Sequence, residues 1–250
     1  KIESNNEFPQ VKLESTFKII SPKIEIERFF DNENPEIIIN ELIKLSKPNK
    51  NNKTIFIFPE GALTGIYLED LKFYKDIFKY NFSEKHKFLI GINSEEGSKI
   101  FNSLVLLDNN LNVISKYNKN KLVPFGEFLP FENIFTKIGL KKISFGYKSF
   151  SSSNKREIFN INNINVLPLI CYEIIYSGKL NTKKNKNNYD FIVNISEDGW
   201  FGDTVGPYQH FSHSKFRAIE EGKYLLRSAN NGISAIIDPS GIILKKIKST

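Results

Sequence analysis

The chain has no methionine, one cysteine, one tryptophan and three histidines in 250 residues. A single cysteine excludes an intrachain disulfide, so cysteine usage assigns no redox compartment. No apolar run approaches the roughly 20 residues needed to span a bilayer, and no secretory leader pattern is visible. Long Gly, Pro or Ser tracts are missing, which argues against disorder, and there are no internal repeats to build a solenoid. Starting on Lys1 without any methionine, the chain reads as an excised or processed domain.

What is present is a large supply of core. Hydrophobic residues make up 40% and aromatic residues 13% of the chain. The net charge of +7 comes from lysines dispersed among asparagines rather than gathered in an arginine-rich stripe. That pattern suits a basic surface near anionic groups such as phospholipid headgroups as well as it suits nucleic acid, and the former is the preferred reading, with no nucleic acid as partner. Residues 1–15 read as a polar linker and residues 16–250 as one domain.

Strand and helix patterns alternate along that domain. Residues 16–21 suit a short strand, and residues 35–45 carry Ile37, Ile38, Leu42 and Ile43 at helical spacing, with Asn34 as N-cap before Pro35. Residues 54–58 are continuously apolar, as in a strand covered on both faces. A helix is expected over 70–80, a short strand over 88–92, and a hairpin from 100–107 and 112–117. A second hairpin pairs 157–160 with 164–170, and 190–195 is another strand. Residues 208–229 have helical periodicity, and a last hairpin turns at Asp238-Pro239-Ser240-Gly241. Residues 47–53 and 179–188 read as solvated Lys/Asn loops. Strand-helix alternation broken by hairpins predicts mixed sheets covered by helices, an α/β or layered α+β sandwich.

Three chemically active residues stand where apolar strands end. Glu60 follows residues 54–58, Lys119 follows the strand ending at Tyr117, and Cys171, the lone cysteine, follows residues 164–170. Side chains at the carboxyl ends of buried strands face the crevice where α/β sheets bind ligands. A carboxylate, an ammonium and a thiol are what thiol-based acyl transfer needs: a base, a cation for thiolate and oxyanion, and a sulfur to carry the acyl group. Each residue alone also has a plain reading: Glu60 as a turn residue, Lys119 as a loop lysine, Cys171 as core, Glu173 as a charge at a helix N-terminus. The histidines do not supply a Cys-His pair. His86 reads as lying at a polar helix end, and His210 and His213 share one helical face near the rim, without a metal-ligand pattern.

Phe58-Pro59-Glu60, Tyr117-Asn118-Lys119 and Ile170-Cys171-Tyr172-Glu173 resemble the Glu-Lys-Cys motifs of the nitrilase (carbon-nitrogen hydrolase) superfamily. Leu122-Val123-Pro124-Phe125-Gly126-Glu127, Asp198-Gly199-Trp200-Phe201-Gly202, Gly206-Pro207-Tyr208-Gln209-His210 and the segment from Leu225 to Gly232 resemble its apolipoprotein N-acyltransferase branch. The likeness runs from Phe17 to Ile247. It implies an αββα sandwich in which Glu60 is the general base, Lys119 the oxyanion cation and Cys171 the nucleophile. It further implies supporting or substrate-binding roles for Glu127, Tyr172, Glu173, Trp200, Phe125 and Phe128, with the Tyr172 N–H as a second oxyanion donor. Where that branch carries a tryptophan, this sequence has Phe29-Phe30, so Phe30 is the expected substitute.

The implied reaction moves an acyl chain from a phospholipid, through a Cys171 thioester, to the amino group of a diacylglyceryl-lipoprotein, with no metal or organic cofactor. Its implied place is a membrane surface, the periplasmic face of a bacterial inner membrane; the branch's membrane helices are not in this sequence. The rival within the superfamily is a soluble amidase or carbamoylase using the same triad. Against it stands the apolar stretch 125–135, whose interrupting Pro130 and Gly126 predict a membrane-facing lid.

Overall fold

The computed structural model describes residues 14–29, 34–128, 149–180 and 188–247. Residues 1–13 of the expected linker, Phe30, residues 129–135 of the expected lid and most of the 179–188 loop lie outside them.

Two mixed sheets carry the structure. The first has the order β1-β2-β3-β4-β5, from β1 (Thr16–Ile19), β2 (Thr54–Ile57), β3 (His86–Glu96), β4 (Lys99–Leu107) and β5 (Val113–Asn118). Strands β1, β2 and β3 are parallel, and β3, β4 and β5 follow as antiparallel neighbours. The second sheet has the order β11-β10-β9-β8-β7-β6. Its centre is parallel: β7 (Ile164–Ile170), β8 (Phe191–Glu197) and β9 (Tyr224–Asn230). Antiparallel strands flank it, β6 (Phe159–Ile161) on one side, β10 (Ser234–Ile237) and β11 (Ile243–Ile247) on the other. Strands β2 and β5 therefore run in one direction, and the loops after them, carrying Glu60 and Lys119, leave from the same end.

The two-residue period of a strand sorts its apolar side chains onto two faces. From β2, Ile55 and Ile57 turn inward to meet Val166, Ile170, Val193 and Ile195 of the other sheet. Phe56 and Phe58 turn outward onto Ile38, Ile39, Leu42 and Ile43 of α1 (Pro35–Ser46) and Phe78 of α2 (Lys75–Asn81). In the second sheet Leu167, Leu169, Ile192 and Leu225 turn outward to Phe211 and Ala218 of α3 (Gly206–Glu221). The result is the αββα sandwich, with each fully buried aliphatic or aromatic side chain contributing roughly 1.5–3 kcal/mol. Helix α1 starts as expected: Asn34 Oδ1 accepts the Glu36 N–H at 3.0 Å, and Pro35 is its first residue.

Three elements differ from the sequence expectation. The helix over 70–80 is split into a 3-10 segment, Leu68–Tyr74, and the short α2. Strand β3 extends to Glu96, because its polar end pairs with Lys99–Asn102 of β4 rather than with water alone. The helical pattern of 208–229 ends at Glu221, where Gly222 takes the left-handed φ of +61° that stops a helix. The remainder becomes β9, paired on both sides by β8 and β10. Among the described residues no helix is long and apolar enough to cross a membrane.

Candidate active site

Glu60 leaves β2 through Phe58-Pro59 and passes directly over β3. A Cβ on Gly91 would lie 2.7 Å from Glu60 Cα and 2.9 Å from the Pro59 carbonyl, so only glycine admits this approach. The Glu60 carboxylate is held from three sides. Its Oε1 accepts Asn102 Nδ2 at 2.7 Å and Lys119 Nζ at 3.2 Å; its Oε2 accepts the Glu197 N–H at 3.0 Å. Lys119 also donates to Glu127 Oε1 at 2.9 Å, and the same oxygen accepts Asn102 Nδ2 at 2.8 Å. The second oxygen of Glu127 accepts the Val123 N–H at 2.9 Å and so folds its own loop back onto the lysine. Burial disfavours the Lys119 ammonium, but Glu127, Glu60 and Cys171 outweigh it and hold its pKa well above the ordinary lysine value. Lys119 is a buried cation between two carboxylates.

Cys171 opens the 3-10 turn Cys171–Ile175 at the end of β7, with a left-handed φ of +48°. Such a conformation costs a non-glycine residue about 1–3 kcal/mol and is retained where surrounding contacts impose it. The residue is only partly buried, yet packing around the sulfur raises its pKa, and the Glu60 charge raises it further. Lys119 and the Ser196 hydroxyl pull the other way without prevailing. The resting group is a thiol, and it needs a base.

Glu173 is fully buried in the first turn of that 3-10 segment, and it does more than cap the segment's start. Its Oε2 accepts the Ile170 N–H at 2.9 Å. Its Oε1 accepts Tyr117 Oη at 2.6 Å, the Asn120 N–H at 2.9 Å, the Lys121 N–H at 3.2 Å and Arg156 Nη2 at 3.3 Å. One carboxylate thus joins the strand that delivers the thiol to the loop that delivers the ammonium. Tyr172 is half-buried, its ring edge-on to Tyr176 at 5.4 Å.

Aromatic rings stand beside this polar centre. The Phe29 ring comes within 2.7 Å of where a Gly61 Cβ would be, lies under the Arg28 guanidinium and packs on Trp200 at 5.2 Å. Trp200 and Phe201 remain 43% and 40% exposed, and Phe201 lies 5.5 Å from the His210 ring. Phe125 is 42% exposed at a φ of +62°, in a turn closed by its N–H to the Phe128 carbonyl at 2.8 Å.

Sequence reasoning missed several members. Asn102 bridges Glu60 and Glu127; its sign was a lone amide inside the apolar run of β4. Arg28, buried, ion-pairs with Glu197, whose backbone holds Glu60. Asp198 and Arg227, both fully buried, join Ser196 and His210 in a network, so His210 is not a rim residue. Burial raises the Asp198 pKa, but Arg227, His210 and Ser196 overcome it and bring it down to about 2. His86 starts β3 and is buried between Ser83 N–H and Asn49 O, not at a helix end.

The carbon-nitrogen hydrolase family pattern matches residues 38–250. An apolipoprotein N-acyltransferase of Wigglesworthia glossinidia brevipalpis is 38% identical over 246 residues, 95% of this chain and 48% of that protein. One from Agrobacterium fabrum (strain C58) is 32% identical over 239 residues, 92% of this chain and 45% of that protein. The chain spans about half the length of these two relatives. Among solved structures, a CN-hydrolase superfamily protein of Xanthomonas campestris, carrying an arsenic adduct in its active site, superposes with a TM-score of 0.62 at 12% identity. That match covers 94% of this chain and 86% of the other. A cysteine-to-alanine variant of an amidase of the nitrilase superfamily from Nesterenkonia AN1 gives 0.64 at 12% identity, over 98% and 90%. At that identity the likeness is one of fold.

Proposed function

The chain belongs to the carbon-nitrogen hydrolase family, and from that premise we propose that it is the catalytic domain of an apolipoprotein N-acyltransferase. The observation that carries the reading is the convergence of Glu60, Lys119 and Cys171: the carboxylate and the ammonium are hydrogen-bonded, and both charges act on the sulfur.

In the first half-reaction the Cys171 sulfur attacks the acyl carbonyl of a phospholipid while Glu60 takes the thiol proton. Lys119 Nζ and the Tyr172 N–H hold the oxyanion. Collapse breaks the ester bond, the lysophospholipid oxygen takes the proton from Glu60, and the acyl chain remains on sulfur as a thioester. In the second half, the α-amino group of a lipoprotein's diacylglyceryl-cysteine attacks the thioester and gives a proton to Glu60. An amide forms and the sulfur, reprotonated, leaves. The order is ping-pong because one sulfur serves both halves.

Glu127 keeps Lys119 charged and in place. The exposed rings of Trp200, Phe201 and Phe125 offer an acyl chain an apolar surface beside a polar centre. The basic surface suits anionic headgroups, consistent with work at the periplasmic face of a bacterial inner membrane.

The test is intact-mass analysis after incubation with phospholipid vesicles. One hydroxylamine-sensitive acyl adduct is expected on the Cys171 peptide, lost in Cys171→Ala and discharged by a diacylglyceryl-cysteine peptide. An adduct discharged by water alone at the same rate would favour an amidase-type hydrolase, and no adduct would refute the reading.

A further inference from the structure

The peptide between Cys171 and Tyr172 is trans, so its carbonyl and its N–H point to opposite sides. The carbonyl end is not left to the 3-10 turn alone. His210, in the second turn of α3, brings Nε2 to 3.3 Å from the Cys171 carbonyl oxygen. That oxygen can only accept, so in this contact Nε2 is the donor. The other ring nitrogen meets Asp198 Oδ1 at 2.8 Å. Asp198 is itself fixed by Arg227 Nη2, which donates to its two oxygens at 2.9 and 2.8 Å, and by Ser196 Oγ at 2.7 Å. His210, Asp198 and Arg227 are all buried. Building three such side chains just past the end of β8, into the middle of β9 and onto α3 has no counterpart in the proton and acyl transfers, which Glu60, Lys119 and Cys171 already complete. Nε2 is aimed at a carbonyl, not at the sulfur, so the imidazole is not the base.

We infer that His210, braced by Asp198 and Arg227, is a positioning residue that clamps the Cys171–Tyr172 peptide by its carbonyl and thereby aims the Tyr172 N–H at the acyl oxygen. The inference rests on the acyl-transfer reading of Cys171. Its physical content is rotational. With Cys171 at a left-handed φ, the following peptide plane is a strained element, and a turn of that plane would carry the N–H away from the oxyanion. A carbonyl held from the far side by a buried ring opposes that turn.

The experiment uses the chain as it stands and two reagents that attack the same sulfur. A short water-soluble acyl thioester passes through an oxyanion; iodoacetamide, displaced at carbon, does not. In His210→Asn the amide reaches Asp198 but falls short of the Cys171 carbonyl, whereas in His210→Gln its nitrogen takes roughly the place of Nε2. We expect acylation of His210→Asn to fall about 10- to 100-fold, short of the loss for deleting an oxyanion donor outright. Alkylation should stay within about twofold, and His210→Gln should acylate within about threefold of the parent. His213→Gln, on the same helix, serves as the unchanged control. Equal loss of acylation and alkylation would make His210 a merely structural support of the thiol and overturn the inference, as would an unaffected His210→Asn. If His210→Asn does not fold, His210→Ala is read with and without added imidazole; acylation restored by imidazole supports the clamp, and none restored overturns it. A parent that takes no acyl group would refute the functional reading itself, and this inference with it.

Discussion

Glu60 and Cys171 oppose each other at rest. The carboxylate lifts the thiol pKa, on top of the lift that burial provides, and Lys119 does not cancel them. The proton therefore rests on sulfur, and in the proposed mechanism the carboxylate that disfavours the thiolate is the group that takes it when a substrate carbonyl arrives. Glu60→Gln separates the two effects. It removes a charge that raises the Cys171 pKa, so alkylation by iodoacetamide at fixed neutral pH should be as fast as in the parent or faster. In the proposed mechanism it also removes the base, so acyl transfer should fall by about 10²–10⁴. Alkylation slowed tenfold in a folded Glu60→Gln protein would show that Glu60 assists thiol ionisation in the resting site.

The turns that follow the strands are held to one another more than to their own elements. Glu173 ties the end of β7 to the segment after β5 through Ile170, Asn120 and Lys121, with Tyr117 and Arg156 completing its shell. Its five donors face acceptor-only oxygens, and Glu173→Gln would set an NH₂ against some of them. Breaking a buried ionic cluster of this kind typically costs about 3–5 kcal/mol. Urea unfolding of Glu173→Gln should show a loss of that order, and a loss below about 1 kcal/mol would mean the cluster is not a tie. The Phe125 turn is the contrasting case. Its ring is exposed, so Phe125→Ser should leave the thermal midpoint nearly unchanged. If the ring receives an acyl chain, the same variant should slow turnover of a long-chain phospholipid severalfold more than acylation by a short thioester. Equal effects on both would remove Phe125 from acyl-chain binding.

At the scale of the whole molecule, acid should act through the buried network under α3. Asp198 has a pKa of about 2 in the fold, against about 3.8 for the ordinary side chain. Its ionised form therefore stabilises the fold above pH ~4, and that contribution, roughly 2 kcal/mol, is lost as pH falls from about 4 to 2. Glu197 works in the other sense: burial outweighs Arg28 and raises its pKa, so its contribution is complete at low pH and shrinks as pH rises through the carboxylate range. Unfolding free energies should thus drop between pH 4 and 2 in the parent. The drop should be shallower, by about one proton's worth of slope, in Asp198→Asn. Identical acid slopes would show that Asp198 is not ionised in the fold.

Features that depend on neighbours along the chain could be read from the residues alone. The apolar run of β2 and the abrupt Pro59-Glu60, the Asn34-Pro35 helix start, and the placing of Lys119 and Cys171 just past strand ends were all legible, because side-chain period and turn chemistry are local. Where local rules were ambiguous, the reading failed. Leu225 to Ala229 fits a helical period as well as a buried strand, and pairing with β8 and β10 decided for the strand. Folding was needed to bring the Glu197 N–H to Glu60, 137 positions away, and Glu173 to Asn120, 53 positions away. The same holds for His210 and the carbonyl of Cys171, 39 positions apart. Such contacts leave no period in the chain, since they arise when the ends of strands from two sheets are packed together, and packing is set by the sandwich as a whole.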